Sequence, residues 1–210
     1  MNRKIIIYCV VGLIITVFLL YHSVYFTSLE EHRKELAGAT FDPVKAITQF
    51  WEEGPEKLAV EALSLNEFDK LLAENPQKMV PEFGKTLGIG APYSFLIKGE
   101  VRIKEVKNDE IILYAPGEIS YAIRTRFIFS NTVREASGYF DLDKFETTME
   151  FNMVAMEINK HIEQQVIAPE LSYLKPEAIV AFLGAADINL RHFPVTSVEI
   201  VPIRLNVFKP

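Results

Sequence analysis

Residues 93–129 read YSFLIKGEVRIKEVKNDEIILYAPGEISYAIRTRFIF, and this stretch decides the fold. Apolar residues recur at alternate positions: Phe95, Ile97, Val101 and Ile103 on a first strand, Ile111 and Leu113 after a turn at Asn108-Asp109. Tyr121, Ile123, Phe127 and Phe129 mark a third strand after Pro116-Gly117. Period two broken by turn residues predicts three consecutive antiparallel strands. Toward the C-terminus one long helix is expected, capped by Asp141 and ended before Pro169, with Leu142, Phe145, Met149, Met153 and Met156 on its apolar stripe. Two strands close the chain, the first through Val180, Phe182, Gly184, Ala186 and Ile188, the second through Val201, Ile203, Leu205 and Val207. The fold class is therefore α+β. Three strands, a helix and two strands is the plan of an OB-like five-stranded barrel. An open five-stranded sheet with the helix on one face gives the same string.

Toward the N-terminus the pattern turns helical, so residues 41–92 form a helical part and 93–210 the barrel. Phe41-Asp42-Pro43 is a helix start: Asp42 is suited to cap free N–H groups and Pro43 to the first helical position. That helix is expected to reach about Glu53, with Trp51 and Ile47 four apart on one face and the indole largely buried. Ser64 and Glu67 form a capping-box pattern ahead of Phe68, Leu71 and Leu72, and Asn75-Pro76 ends this second helix.

After Arg3 and Lys4 nothing carries a formal charge from Ile5 to Leu29, and Ile5 to Phe26 is almost wholly apolar or aromatic. As a helix this stretch measures about 33 Å, enough to span a bilayer. Tyr21, Tyr25 and Phe26 suit the far interface, while Arg3 and Lys4 favour the cytoplasmic side. Residues 1–29 read as a transmembrane signal anchor, 30–40 as a charged stalk, and 41–210 as a single extracytoplasmic domain. Cys9 follows Tyr8 rather than the small residue that lipidation needs, and Ala37-Gly38-Ala39 lies beyond the charged run for signal cleavage. The anchor is expected to stay attached.

Composition removes several function classes. With 22 basic against 28 acidic residues and a net charge of -6, the chain has the wrong sign for binding nucleic acid. Its single cysteine, Cys9, leaves no disulfide or thiolate metal cluster for the domain. Gly84-Lys85-Thr86 lacks the earlier glycine of a phosphate loop, and Gly88-Ile89-Gly90 is followed by Pro92 rather than a helix. His22, His32, His161 and His192 have no metal-ligand spacing, and no serine nucleophile elbow is present. Asp141 and Asp143 fit helix capping. No catalytic residue, metal or cofactor is assigned.

Two sets of residues are candidates for binding. Tyr114, Tyr121, Arg124 and Arg126 lie on or near the second and third strands, the surface OB-like domains use, where aromatics and guanidinium groups would stack on and hydrogen-bond to a small carbohydrate. The competing reading puts Tyr121 in the core with Ile123 and both arginines in solvent. Asn152 and Asn159, seven apart on the long helix, either line a polar pocket or fix the helix to the barrel.

The ordered set Phe41-Asp42-Pro43 with Trp51, Phe83-Gly84, Ile97-Lys98-Gly99-Glu100-Val101, Thr132-Val133-Arg134-Glu135-Ala136, Met149-Glu150-Phe151 with Val154-Ala155 and Ile158-Asn159, and Pro202-Ile203-Arg204-Leu205 resembles a bacterial family of unknown function, described as predicted periplasmic lipoproteins. The resemblance implies an exported, membrane-tethered OB-like domain, commonly encoded beside sugar ABC-transporter components, with no established activity. The expected location is the inner membrane, N-terminus in the cytoplasm and domain in the periplasm. The chain departs from the family in lacking the lipidation motif. Two functions follow as expectations: a non-catalytic accessory or binding module for carbohydrate uptake or sensing, or a cell-envelope enzyme acting on glycans.

Overall fold

In the computed structural model, which describes residues 41–87, 92–126 and 128–208, the chain opens with helix α1 (Pro43–Glu61). Asp42 caps it, Oδ1 accepting from the Val44 N–H at 3.0 Å and the Lys45 N–H at 3.2 Å. The helix does not stop near Glu53. It continues through Gly54-Pro55 because Ile47, Phe50, Pro55 and Leu58 form one buried face whose packing outweighs the hydrogen bond lost at the proline. A short strand, β1 (Leu63–Ser64), leads into α2 (Leu65–Glu74) through a complete capping box between Ser64 and Glu67. Pro76 then starts α3 (Pro76–Phe83) directly.

Strands β2 (Tyr93–Val106), β3 (Glu110–Leu113), β4 (Ser120–Arg124), β5 (Ile179–Ile188) and β6 (Ser197–Val207) run in the order β2-β3-β4-β6-β5. Strand β5 also pairs back onto β2, from Tyr93↔Ile188 to Arg102↔Ile179. That pairing closes the ring and decides for a barrel over an open sheet. β2 serves two partners by bending: its register against β3 breaks between Ile103 and Glu105. A second break, at Leu183/Gly184 between β5 and β6, needs glycine, since a Cβ at Gly184 would stand 2.5 Å from Ile200 Cγ2 and 2.9 Å from the Val201 carbonyl oxygen. Strands β4 and β6 pair in parallel, and β1 adds in parallel outside β2. Phe95, Ile97, Ile103, Ile111, Tyr121, Ile123 and Ile203 are fully buried in the resulting core.

Between β4 and β5 the structure corrects the sequence reading. A short helix, α4 (Thr132–Ser137), comes first. Asp141 caps only a 3-10 turn, Leu142–Lys144. The long helix, α5 (Thr148–His161), starts at a second cap, where Thr147 Oγ1 accepts from the Glu150 N–H and Glu150 accepts from the Glu146 N–H. It runs on through a π-helical stretch, Ile162–Ile167, to Ala168, ending before Pro169 as expected. The buried stripe is Phe151, Val154, Ala155, Ile158 and Ile162, whereas Leu142, Met149 and Met156 are exposed. Two apolar stripes compete in this sequence, and the branched and aromatic one is buried, α5 packing on α1 and α4 and the π-helical stretch on β6. Strand β4 likewise ends at Arg124, so Phe129 belongs to a loop and is 90% exposed.

Residues Asp42–Pro210 make up one compact unit. Among the described residues no helix is long and apolar enough to cross a membrane. The segment read as an anchor, the stalk, Gly88, Gly90 and Phe127 lie outside the described residues.

Candidate functional site

Past the end of β4 the loop into α4 crosses the barrel surface and borders a cleft of about 600 Å³, lined by Arg124, Phe129, Ser130, Thr132, Asp187 and Glu199 among others. Polar side chains fix its walls. Thr132 Oγ1 donates to Asp187 Oδ2 at 2.7 Å, and Ser94 Oγ donates to Asp187 Oδ1 at 2.5 Å, tying α4 to β5 and β2. The Ser130 and Thr132 hydroxyls are paired, and Ser130 Oγ accepts from the Thr132 N–H at 2.9 Å. From α5, Asn159 Nδ2 donates to the Ser130 carbonyl at 3.0 Å. At the start of the loop the Ile128 N–H donates to Glu163 at 2.9 Å. Phe129 is therefore an exposed ring on a loop held at both ends. Across the cleft Arg124 bridges Asp109 at 3.0 Å and Glu199 at 3.3 Å.

Behind the loop Arg134 is almost fully buried, its guanidinium 3.7 Å from the Phe151 ring centroid. It donates to the Phe151 carbonyl at 2.9 Å, to Asn152 Oδ1 at 3.3 Å and to Glu135 at 3.4 Å. Burial pushes the Glu135 carboxyl up, the Arg134 charge pulls it down and the Asp187 charge raises it again. Arg134 thus joins α4 to the start of α5, while Glu135 lines a separate cleft beside Lys85 and Gly138.

The sequence-derived candidates do not gather in one place. Tyr121 is fully buried and donates to Asp69 Oδ1 at 2.8 Å; burial first, and then this hydrogen bond, holds its phenol far above the ordinary range. Tyr114 is exposed and donates to Glu177 at 2.9 Å, a bond that raises its hydroxyl above the ordinary value. Arg126 is exposed, and of these four only Arg124 lines the Phe129 cleft. Asn152 and Asn159 point different ways: Asn152 is exposed beside Arg134, while Asn159 is buried against the loop. Trp51 is half-buried and packs on His161 of α5.

Sequence reasoning missed Phe129, Thr132 and Asp187. The available signal was Ser130-Asn131-Thr132, a polar turn cluster one residue beyond Phe129 that leaves no ladder for that ring to join. Among the described residues no group of His, Cys, Asp and Glu is placed to hold a metal. Fixed hydroxyls, carboxylates, a guanidinium and one exposed ring form a surface suited to binding a polar solute.

A closed ring of strands with helices inserted between β4 and β5 defines an OB-fold domain. A solved OB-fold protein from Thermotoga maritima is similar in fold, with a TM-score of 0.68 and 23% identity, covering 80% of this chain and 99% of that one. The chain belongs to the family of predicted periplasmic lipoproteins designated DUF2291, whose model matches residues 14–206. No curated protein matches the chain. Membership supports a periplasmic place for the domain and is consistent with association with a membrane.

Proposed function

We propose that the domain is a non-catalytic, extracytoplasmic binding module that takes a polyhydroxylated, carbohydrate-like solute in the Phe129 cleft. The observation that carries this reading is the exposed Phe129 ring, lining one cleft with paired hydroxyl and carboxylate groups. A sugar offers one apolar ring face for stacking and a rim of hydroxyls that pair with such groups. The rigid anchoring of the loop through Asn159 and Glu163 supports a preformed site, which lowers the ordering cost of binding.

On this reading Ile5 to Phe26 is an uncleaved membrane anchor with Arg3 and Lys4 inside, and the module supports uptake or sensing by sugar-transporter components. The uncharged length of that segment supports the anchor, and the family resemblance supports the partner. The test is titration of the full-length protein in detergent with a panel of mono- and oligosaccharides, read by thermal shift. Saturable stabilisation by one saccharide class, abolished by Phe129→Ala with no loss of basal stability, is expected. No response to any saccharide, an unchanged response in the variant, or saccharide cleavage would overturn the reading.

A further inference from the structure

A second cleft, sharing no lining residue with the first, contains a buried carboxyl group that lacks a cationic partner. Asp69 lies on the inner face of α2 with Leu65, Phe68 and Leu72, and is only 9% exposed. Acidic side chains this buried are ordinarily paired with a positive group. Among the described residues Asp69 has no ion pair, and its one hydrogen bond comes from Tyr121, whose phenol donates to Oδ1. Tyr121 spends its single proton there. Oδ2 receives no hydrogen bond among the described residues.

Beside Oδ2 the loop between β3 and β4 passes very close: a Cβ on Gly117 would stand 2.5 Å from that oxygen. Only glycine lets the loop backbone pass so close to the carboxyl group. Asp69 and Gly117 both line a cleft of about 430 Å³ whose other walls include Leu72, Ala73, Ile119, Phe193, Pro194 and Val195. Its volume falls in the usual range of small-molecule sites. Glu118, exposed on the rim, adds a second negative group and no basic residue lines the cleft. An apolar chamber with acidic groups at its floor and rim is complementary to a molecule that carries one positive charge on a hydrocarbon body.

We propose that this cleft is a binding site for a small organic cation with an apolar body, an alkylammonium whose charged head reaches Asp69. The ammonium donates to Oδ2, while the alkyl part lies on Ile119 and Val195. Tyr121 holds Oδ1 and leaves Oδ2 without a hydrogen bond among the described residues.

The test uses the full-length protein in detergent with labelled methyl groups, titrated with butylammonium and, separately, with 1-butanol as the neutral analogue. Saturable shifts at Ile119 and Val195 with butylammonium, and markedly weaker ones with butanol, are expected. Asp69→Asn keeps an oxygen to accept from Tyr121 and removes the charge, and should weaken butylammonium binding by about 10- to 100-fold, the worth of a charge-assisted hydrogen bond. Ala73→Phe, at an exposed position on the cleft wall, should block binding without touching the carboxyl group. Equal binding of the amine and the alcohol, undiminished amine binding in either folded variant, or no saturable shift in the parent protein would overturn the proposal.

Discussion

The Trp51 indole lies on the His161 imidazole, ring centroids 4.1 Å apart and planes tilted by 35°, and so joins α1 to the last turn of α5. Phe50 meets the same indole edge-on at 4.8 Å. Burial holds the His161 imidazole below its ordinary value of 6.5, so the folded protein favours the neutral ring. The unfolded chain takes up a proton first as pH falls. The stability that His161 contributes is therefore complete above about pH 6.5 and is lost as pH falls toward the lowered native value. Urea unfolding followed between about pH 8 and pH 5 should show a fall in midpoint that is smaller in His161→Phe, which keeps the stack and removes the proton site. Equal falls in both proteins would contradict this. Trp51→Ala should cost about 2 kcal/mol, less than a fully buried tryptophan, because the indole is half-buried.

Arg134 offers a sharper test of what holds α4 to α5. Its guanidinium is 4% exposed and makes three hydrogen bonds besides its contact with the Phe151 ring. Arg134→Ala removes these at once and should cost about 3 kcal/mol, whereas Arg134→Met refills the space beside the Phe151 ring and should cost clearly less. Denaturant midpoints of the two variants check the order.

The strands were legible in the sequence because half of each faces the core and the alternation follows from that. Closure was not, since the pairing of β2 with β5 joins segments nearly ninety residues apart and no local pattern encodes it. The helix before β5 was misread because two cap signals follow one another: Asp141 is the first met, while Thr147 with Glu150 starts the helix. Its stripe is ambiguous for a related reason, as methionines at helical spacing count as apolar although Met149 and Met156 face solvent. The candidate site was the least legible part. Its polar network joins Ser94, Thr132 and Asp187 from three separate elements, and Phe129 carries an alternation pattern that the strand does not follow.

Gly184 tests the barrel seam. An added methyl would meet Ile200 Cγ2 at 2.5 Å and the Val201 carbonyl at 2.9 Å, and the second of these is backbone. Gly184→Ala should destabilise by about 2–3 kcal/mol through overpacking at the break in register between β5 and β6. A thermal melt within experimental error of the parent would show that the seam is looser than described.

The central claim, an outward-facing binding cleft on a membrane-tethered barrel, is tested most directly by labelling one position in intact spheroplasts. Cys9 is the only cysteine, so Phe129→Cys in a Cys9→Ser background places a single thiol at the most exposed aromatic position of the cleft. A membrane-impermeant maleimide should label that thiol without lysis. Labelling that occurs only after the membrane is broken would place the cleft on the cytoplasmic side and contradict the account.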